Sequence, residues 1–533
     1  MLDLLVSGGT VVEGDGGPPY PADVAIEGER IVAVEPLPGA TARRHLDARG
    51  HFVLPGLIDP HSHSDWSILG NPEAQSTIRQ GVTTEVVGNC GVTYAPLGPE
   101  SARQAAATLA AFGYDGPVDW RGFGELLQRV ESIGTSQNLA WFVGHSALRE
   151  AAGVGTGSPG DDELATMRAL LAEALDAGAL GMSSGLEYGA GRAAGTGELT
   201  DLAGVLRLHG ARYASHIRNR DAALDEAVEE FFTVTRAAGG RAQLSHLNVR
   251  EDTGAAPDAW QRAVERLAAE RAAGTDVLAD MTPYDGGIGM ATGLLPPWLL
   301  ADGPEEAARQ LADPAVRNRL RGDCDRYWRF VHRGGWDRVR LQAGPATPEL
   351  EGLAFPEIAE RLGGDEWDAF FDVLAAAGPD LAAVQLLGRL FTDEHVAETV
   401  SHPLFCLGVD AFTSRVDGPL AARSRHPLFF AGHVHYLAHH VRDKGILTLE
   451  TAVHKMTAMV ADHFGLAGRG RLRRGAFADV AVVDLAGLRE RSTVAEPHAY
   501  AHGVPYVIVN GAVVVDGHDH TGVRTGCYLP RGR

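Results

Sequence analysis

The chain has 533 residues, 45% hydrophobic and 22% charged, with a formal net charge of −22. Those proportions fit a globular protein with a large core and more than one average domain, and they exclude a disordered chain. The acidic balance argues against a nucleic-acid partner, which would need a basic face to neutralise phosphates.

No basic segment leads into an apolar run near the start, and no apolar run approaches the roughly 20 residues that span a bilayer, so a cytoplasmic protein without membrane contact is expected. The four cysteines, Cys90, Cys324, Cys406 and Cys527, show no paired spacing. That pattern fits a reducing compartment where a thiol is available as a metal ligand. Lysine occurs only at Lys444 and Lys455.

From Met1 to about Phe52, short apolar runs at Asp3–Val6, Thr10–Val12, Asp23–Ile26 and Arg30–Val34 are punctuated by Gly and Pro, which predicts antiparallel strands. The same texture returns at Ala478–Asp484 and Tyr506–Gly511. Neither end has enough strands for a stable sheet of its own. Residues 1–54 and 469–533 are therefore expected to combine into a small β-sandwich, with residues 55–468 inserted between them as the catalytic domain.

Within that domain, apolar strands alternate with helical stretches such as Asp162–Gly178 and Asp221–Gly239. Strands are predicted ahead of His61 and at Thr84–Val87, Leu139–Val143, Leu180–Ser183, Arg212–Ser215, Ala242–Ser245, Asp276–Ala279 and Phe405–Gly408. The alternation predicts the α/β class and a parallel (β/α)8 TIM barrel, whose chemistry sits at the C-terminal strand ends. Residues of about 285–400 are too many for one connection. With helical pieces at Pro304–Leu311 and Asp365–Ala377, they are read as a lid inserted after the seventh strand. A structural or oligomerisation insert explains them equally well.

The stretch from Leu54 to Asp65, Leu-Pro-Gly-Leu-Ile-Asp-Pro-His-Ser-His-Ser-Asp, ends an apolar run in a His-x-His pair. Residues two apart in a strand share a face, so His61 and His63 can aim ring nitrogens at one point, which suggests a metal. Later strand candidates end near Cys90, His216, His246 and Asp410. One constellation accounts for all six residues.

Pro55-Gly56-Leu57-Ile58-Asp59-Pro60-His61-Ser62-His63 is joined in order by Gly88-Asn89-Cys90-Gly91, Ser183-Ser184-Gly185-Leu186-Glu187-Tyr188 and Ser215-His216-Ile217-Arg218. Ser245-His246-Leu247, Pro283-Tyr284, Gly408-Val409-Asp410 and Gly465-Leu466-Ala467-Gly468-Arg469-Gly470 follow. In this combination the chain resembles the N-acyl-D-amino-acid deacylases, or D-aminoacylases, of the metal-dependent amidohydrolase superfamily, over nearly its whole length. The resemblance implies a zinc enzyme that cleaves a linear amide in a small N-acylated substrate, most simply an N-acyl-D-amino acid. It implies a tight site at Cys90, His216 and His246, and a second, weaker or partly occupied one at His61, His63 and Asp410. These are ligand types that zinc favours, and a neighbouring cation would hold Cys90 as thiolate. Asp410 would take a proton from the attacking water and return it to the leaving nitrogen.

A cyclic-amide hydrolase of the same superfamily would bridge two metals with a carboxylated lysine. The fourth strand end, Gly181 to Tyr188, offers none, so Cys90 would have to bridge instead. A non-catalytic barrel would have lost ligands, and here every expected position is filled. His145 is a candidate for polarising a substrate carbonyl, with a structural role as the alternative. Arg218 is a candidate for a substrate carboxylate, against an ion pair, and Tyr284 for a substrate hydrogen bond. Glu187 is a remote candidate for the metals. His433, His435, His439 and His440 fall on a segment, Gly432 to Lys444, read as a surface or interface helix that would scatter their rings.

Two departures bear on substrate. Relatives commonly carry a carboxylate-binding lysine where this chain has Asn248, and often a serine shortly after Pro-Tyr, where it reads Asp285-Gly286-Gly287-Ile288-Gly289. An asparagine donates a hydrogen bond but cannot neutralise a carboxylate. Either Arg218, Arg250 or an arginine of the insertion compensates, or the substrate lacks a free carboxylate there. Leu294, Leu295 and Trp298 suggest an apolar wall suited to a hydrophobic side chain or acyl group, or simply core.

Overall fold

The computed structural model describes residues 1–323 and 328–532, which leaves Cys324 outside the described residues. The two ends of the chain build one hydrogen-bonded sheet of nine strands. Its seam is the antiparallel pairing of Phe52–Pro55 with Val480–Val483, Val53 lying opposite Val482. Strand Leu2–Val11 fuses two of the predicted runs. A bulge between Val6 and Gly9 lets it pair with Tyr20–Glu27 throughout. On its other edge it pairs first with Ala42–Asp47 and then with Phe52–Pro55, so the sheet forks there. Val6, Val24, Ile26, Val53, Val480, Val482 and Ile508 form a core drawn from both termini.

The inner domain carries the expected parallel strands: Leu57–Asp59 (β1), Val82–Val87 (β2), Asn138–Gly144 interrupted at Phe142 (β3), Gly181–Gly185 (β4), Arg212–His216 (β5), Arg241–Leu244 (β6), Asp276–Met281 (β7) and Phe405–Leu407 (β8). Their ladders form two arcs, of three strands and of six, rather than the single ring expected from sequence. The first half of β3 pairs with β2 and its second half with β4. At the other junction, Asp410 N donates to His61 O at 2.9 Å and His63 N to Ala411 O at 2.7 Å. The ladder of β1 stops at Asp59 because Pro60 has no N–H to offer.

Helices Asp161–Asp176, Thr196–His209, Leu224–Ala237 and Ala259–Ala272 cover the strands, burying pairs such as Leu171 and Leu175, Leu202 and Leu206, and Ala263 and Leu267. That spacing puts each pair on one helical face. The third begins three residues later than its apolar pattern because Asn219 Oδ1 accepts from Asp221 N and Ala223 N, closing a turn first.

The insertion contains an unforeseen antiparallel sheet of Gly286–Met290, Gln385–Arg389 and Val339–Ala343, in that order. Gly286-Gly287-Ile288-Gly289 gives almost no strand signal, since glycine packs no side chain against its neighbours. Helices Pro304–Gln310 and Glu366–Ala377 are present as predicted. The histidine-rich segment, read as a surface or interface helix, is packed inside the chain itself: Phe430, His433, Val434, Tyr436, Leu437 and His440 are buried. Its run of Leu428-Phe429-Phe430 outweighs the polar rings. Among the described residues no helix is long and apolar enough to cross a membrane.

Candidate metal centre

The residue before Gly91 shows how the sequence shapes the site locally. Cys90 has φ of +55°, and Gly88 and Gly91 on either side of Asn89-Cys90 are also positive. A Cβ on Gly91 would lie 2.7 Å from Gly185 N and one on Gly88 2.2 Å from Phe142 O, so the loop is pressed onto neighbouring strands. Ser183 Oγ clips it there, accepting from Gly91 N at 3.0 Å and donating to Gly88 O at 2.5 Å. His246, at φ +34°, and Asp410, at φ +60°, share the left-handed conformation that side chains rarely adopt. Three of the eight non-glycine residues with positive φ among the described residues are thus candidate ligands. Strain concentrated at one spot is a mark of function.

Two groups of donors converge, His61, His63, Cys90 and Asp410 in one and Cys90, His216 and His246 in the other, with the donor atoms of each within 4.8 Å of one another. Cys90 belongs to both, its Sγ lying 3.2 Å from His61 Nε2 and 3.5 Å from His246 Nε2. Asp410 Oδ1 lies 3.1 Å from His63 Nε2 and 3.4 Å from His61 Nε2. The five other ligand candidates are buried, whereas the Asp410 side chain is 37% exposed and borders the open side. The set of thiolate, imidazole and carboxylate donors fits zinc.

Around these donors stand residues that orient them. Asp280, on β7, lies 3.0 Å from His61 Nδ1 and accepts from His246 N at 2.9 Å and Gln243 Nε2 at 2.6 Å. Glu187 Oε2 is 2.7 Å from His216 Nε2. Each contact directs the opposite ring nitrogen inward. Asp59 accepts from His61 N at 2.9 Å and Val409 N at 3.3 Å, tying the ends of β1 and β8 together.

Electrostatics follow the geometry. Burial alone would push the Cys90 thiol up, but the charges of His61 and His246 hold it well below the usual range. Burial works against charge on His63 too, yet its contacts with Asp410 and Cys90 raise it to about 10. For Asp410, His61 and His63 overcome burial and keep the carboxyl below the ordinary carboxylate range. Glu187 is likewise held down against burial, by Arg250 and His216.

The softer candidates have other partners. His145 is buried with Nε2 2.8 Å from Glu198 Oε1. Arg218 is committed to Glu230, at 2.8 and 3.0 Å, and to the carbonyls of Arg192 and Ala194. Tyr284 donates its hydroxyl proton to Glu490, and Asn248 Nδ2 bonds His246 O at 2.7 Å. Leu294 and Leu295 are buried in the core, while Trp298 donates to Asp323 and lies under Arg319. Lys455 Nζ donates to Val400 O and His402 O, so it is engaged with a helix end.

Arg250, whose side chain is fully buried, grips Glu187 through two bonds of 2.7 and 2.6 Å and reaches Asp221 at 3.2 Å. Arg250→Met should strand buried Asp221 without its 3.2 Å partner and leave Glu187 only the longer 3.4 Å contact with Arg220, at a cost of about 3–5 kcal/mol. Because Glu187 orients His216, metal affinity should also fall, by about 10–100-fold. Urea midpoints and metal titrations of the variant check both; an unchanged midpoint would refute the first.

Comparison with known proteins gives a consistent set of relatives. A family model described as "Amidohydrolase family" matches residues 44–321 and 395–515. An N-acyl-D-glutamate deacylase of Alcaligenes xylosoxydans xylosoxydans is 35% identical over 517 residues, covering 96% of this chain and 93% of its own. A D-aminoacylase of the same organism is 31% identical over 533 residues, or 99% of this chain and 98% of its own. The crystal structure of an N-acyl-D-glutamate deacylase from Bordetella bronchiseptica, complexed with zinc and a phosphonate mimic of the tetrahedral intermediate, matches with a TM-score of 0.81 at 29% identity over 99% of each chain.

Proposed function

The chain belongs to the amidohydrolase family, and from that premise we propose that it is a zinc-dependent deacylase, hydrolysing the linear amide of N-acyl-D-amino acids to a carboxylate and a D-amino acid. The observation that carries this reading is the convergence of six donors on one spot, with Cys90 common to both groups. Cys90, His216 and His246 would hold one ion, and His61, His63 and Asp410 a second. Bound there, zinc would supply polarisation of the amide carbonyl and a lowered pKa for water, towards about 7 in the best cases.

The chain's own residues do the rest. Asp410, held ionised and partly exposed, takes the proton of the attacking water and passes it to the leaving nitrogen. Asp280 and Glu187 keep His61 and His216 oriented through the cycle. We read the two arcs as one eight-stranded barrel with this site at its mouth, the terminal sheet as a β-sandwich, and residues 285–400 as a lid. The junction bonds between His61, His63, Asp410 and Ala411 support the first of these.

Stripping metal with a chelator and restoring zinc tests the function. Amine release from N-acetylated D-amino acids should vanish on chelation and return with zinc, while the L-isomers stay intact. Turnover that survives complete metal removal, or that prefers L-isomers, would refute it.

A further inference from the structure

Resting on the deacylase reading and its two groups of donors, we infer that Glu85, on β2, is a positioning residue that sets the second group by holding Ser62, the residue between His61 and His63. For that group to form, the His-x-His arm after β1 must stay in register with the turn that carries Asp410 after β8. These two strands share no ladder, and side chains supplement the backbone bonds at their junction. Residues two apart on an extended chain share a face, so with His61 and His63 turned to the donors, Ser62 turns away from them. Its Oγ lies 2.9 Å from Glu85 Oε1, 2.9 Å from Ser64 Oγ and 3.1 Å from the carbonyl oxygen of Ala411, the residue after Asp410.

The anchor continues on both sides of Ser62. Its Oγ accepts from Ser64 N at 3.0 Å, Ser64 Oγ accepts from Thr413 N at 2.8 Å, and Ser67 Oγ donates to Thr413 O at 2.7 Å, which stitches the arm to the chain beyond Asp410. Behind it, Glu85 Oε2 accepts from Gln137 Nε2, and Gln137 Oε1 accepts from Thr77 Oγ1 at 3.0 Å. Every side chain in this path is buried. The two oxygens of Glu85 thus join the arm to the residue just ahead of β3. A carboxyl is a costly choice for this place. Burial, with Asp65 adding to it, pushes that of Glu85 up to about 7; the charged groups facing it, Asp59 and Asp65, are both acids, and among the described residues it has no ion pair. Leucine would fill the volume without the desolvation cost. What leucine would lose is the link to the arm that carries two donors, and the partners that orient ligands set metal affinity. Glutamine keeps that link, its amide nitrogen donating to Ser62 Oγ and its oxygen accepting from Gln137.

The test is calorimetric titration of zinc into chelator-stripped protein, read as two binding phases, for the parent, Ser62→Ala, Glu85→Leu and Glu85→Gln. The alanine and leucine variants should each weaken the second ion by about 10–100-fold, while the ion held by Cys90, His216 and His246 stays. Glu85→Gln should bind as the parent does. Combining Ser62→Ala with Glu85→Leu should cost no more than either alone, because both break one connection. Melting of the metal-free variants reports whether they are folded, and Ser62→Ala alone decides the matter if the leucine variant is not. An unchanged second phase in Ser62→Ala, an equal loss in both phases, or a glutamine variant as weak as the leucine one would overturn the positioning role and leave the deacylase standing. So would a parent that binds one ion only. A parent that binds no zinc would overturn the deacylase reading and the inference with it.

Discussion

Cys90→Ala should lose the tight metal and with it turnover, by more than the 10–100-fold that loss of a supporting partner costs. The thiol is the one atom common to both donor groups, so its removal breaks each of them. The backbone cost is small. At φ +55° alanine is strained as much as cysteine, because both present the same Cβ, and the glycines and Ser183 that shape the loop are untouched. Loss of metal can then be separated from misfolding by comparing parent and variant melting in chelator, where the two should coincide. Metal analysis of the dialysed variant is the deciding measurement. A tight site at full occupancy without Cys90 would remove that residue from the coordination sphere.

Much of the fold and the donor set is legible in the sequence because local rules govern it. His61 and His63 share a strand face by spacing alone, and the apolar runs before Cys90, His216, His246 and Asp410 place them at strand ends. What surrounds those donors is less legible. Asp280 lies within the otherwise apolar run Val277-Leu278-Ala279-Asp280-Met281 of β7, and a carboxylate inside such a run is the available signal for it. In the sequence Glu187 reads only as a remote candidate for the metals, whereas its place against His216, Arg220 and Arg250 comes from contacts between different strand ends. Glu490 lies 206 residues from Tyr284 in the chain, and no periodicity connects them. The histidine-rich helix misleads for the opposite reason: its rings dominate the composition, while Leu428, Phe429 and Phe430 decide its burial.

Asp410→Asn should separate chemistry from binding in a way that no other change at this site can. Asparagine keeps the shape of the side chain and can still meet His63, but it cannot hold a proton taken from water. Since Asp410 is outside the group formed by Cys90, His216 and His246, that ion should stay bound. Turnover should fall by about 10²–10⁴-fold, the range over which a positioned acid or base acts. The loss should fall on kcat, with KM little moved, because the proton transfers occur after substrate is seated. Parallel metal analysis guards the interpretation, as a variant that had lost its ion would lose activity for another reason. Near-normal kcat at full occupancy would move the proton-carrying role away from Asp410 and leave it as a ligand alone. A kcat loss with the ion retained would instead fix the direction of catalysis, from the partly exposed carboxylate inward to the amide nitrogen.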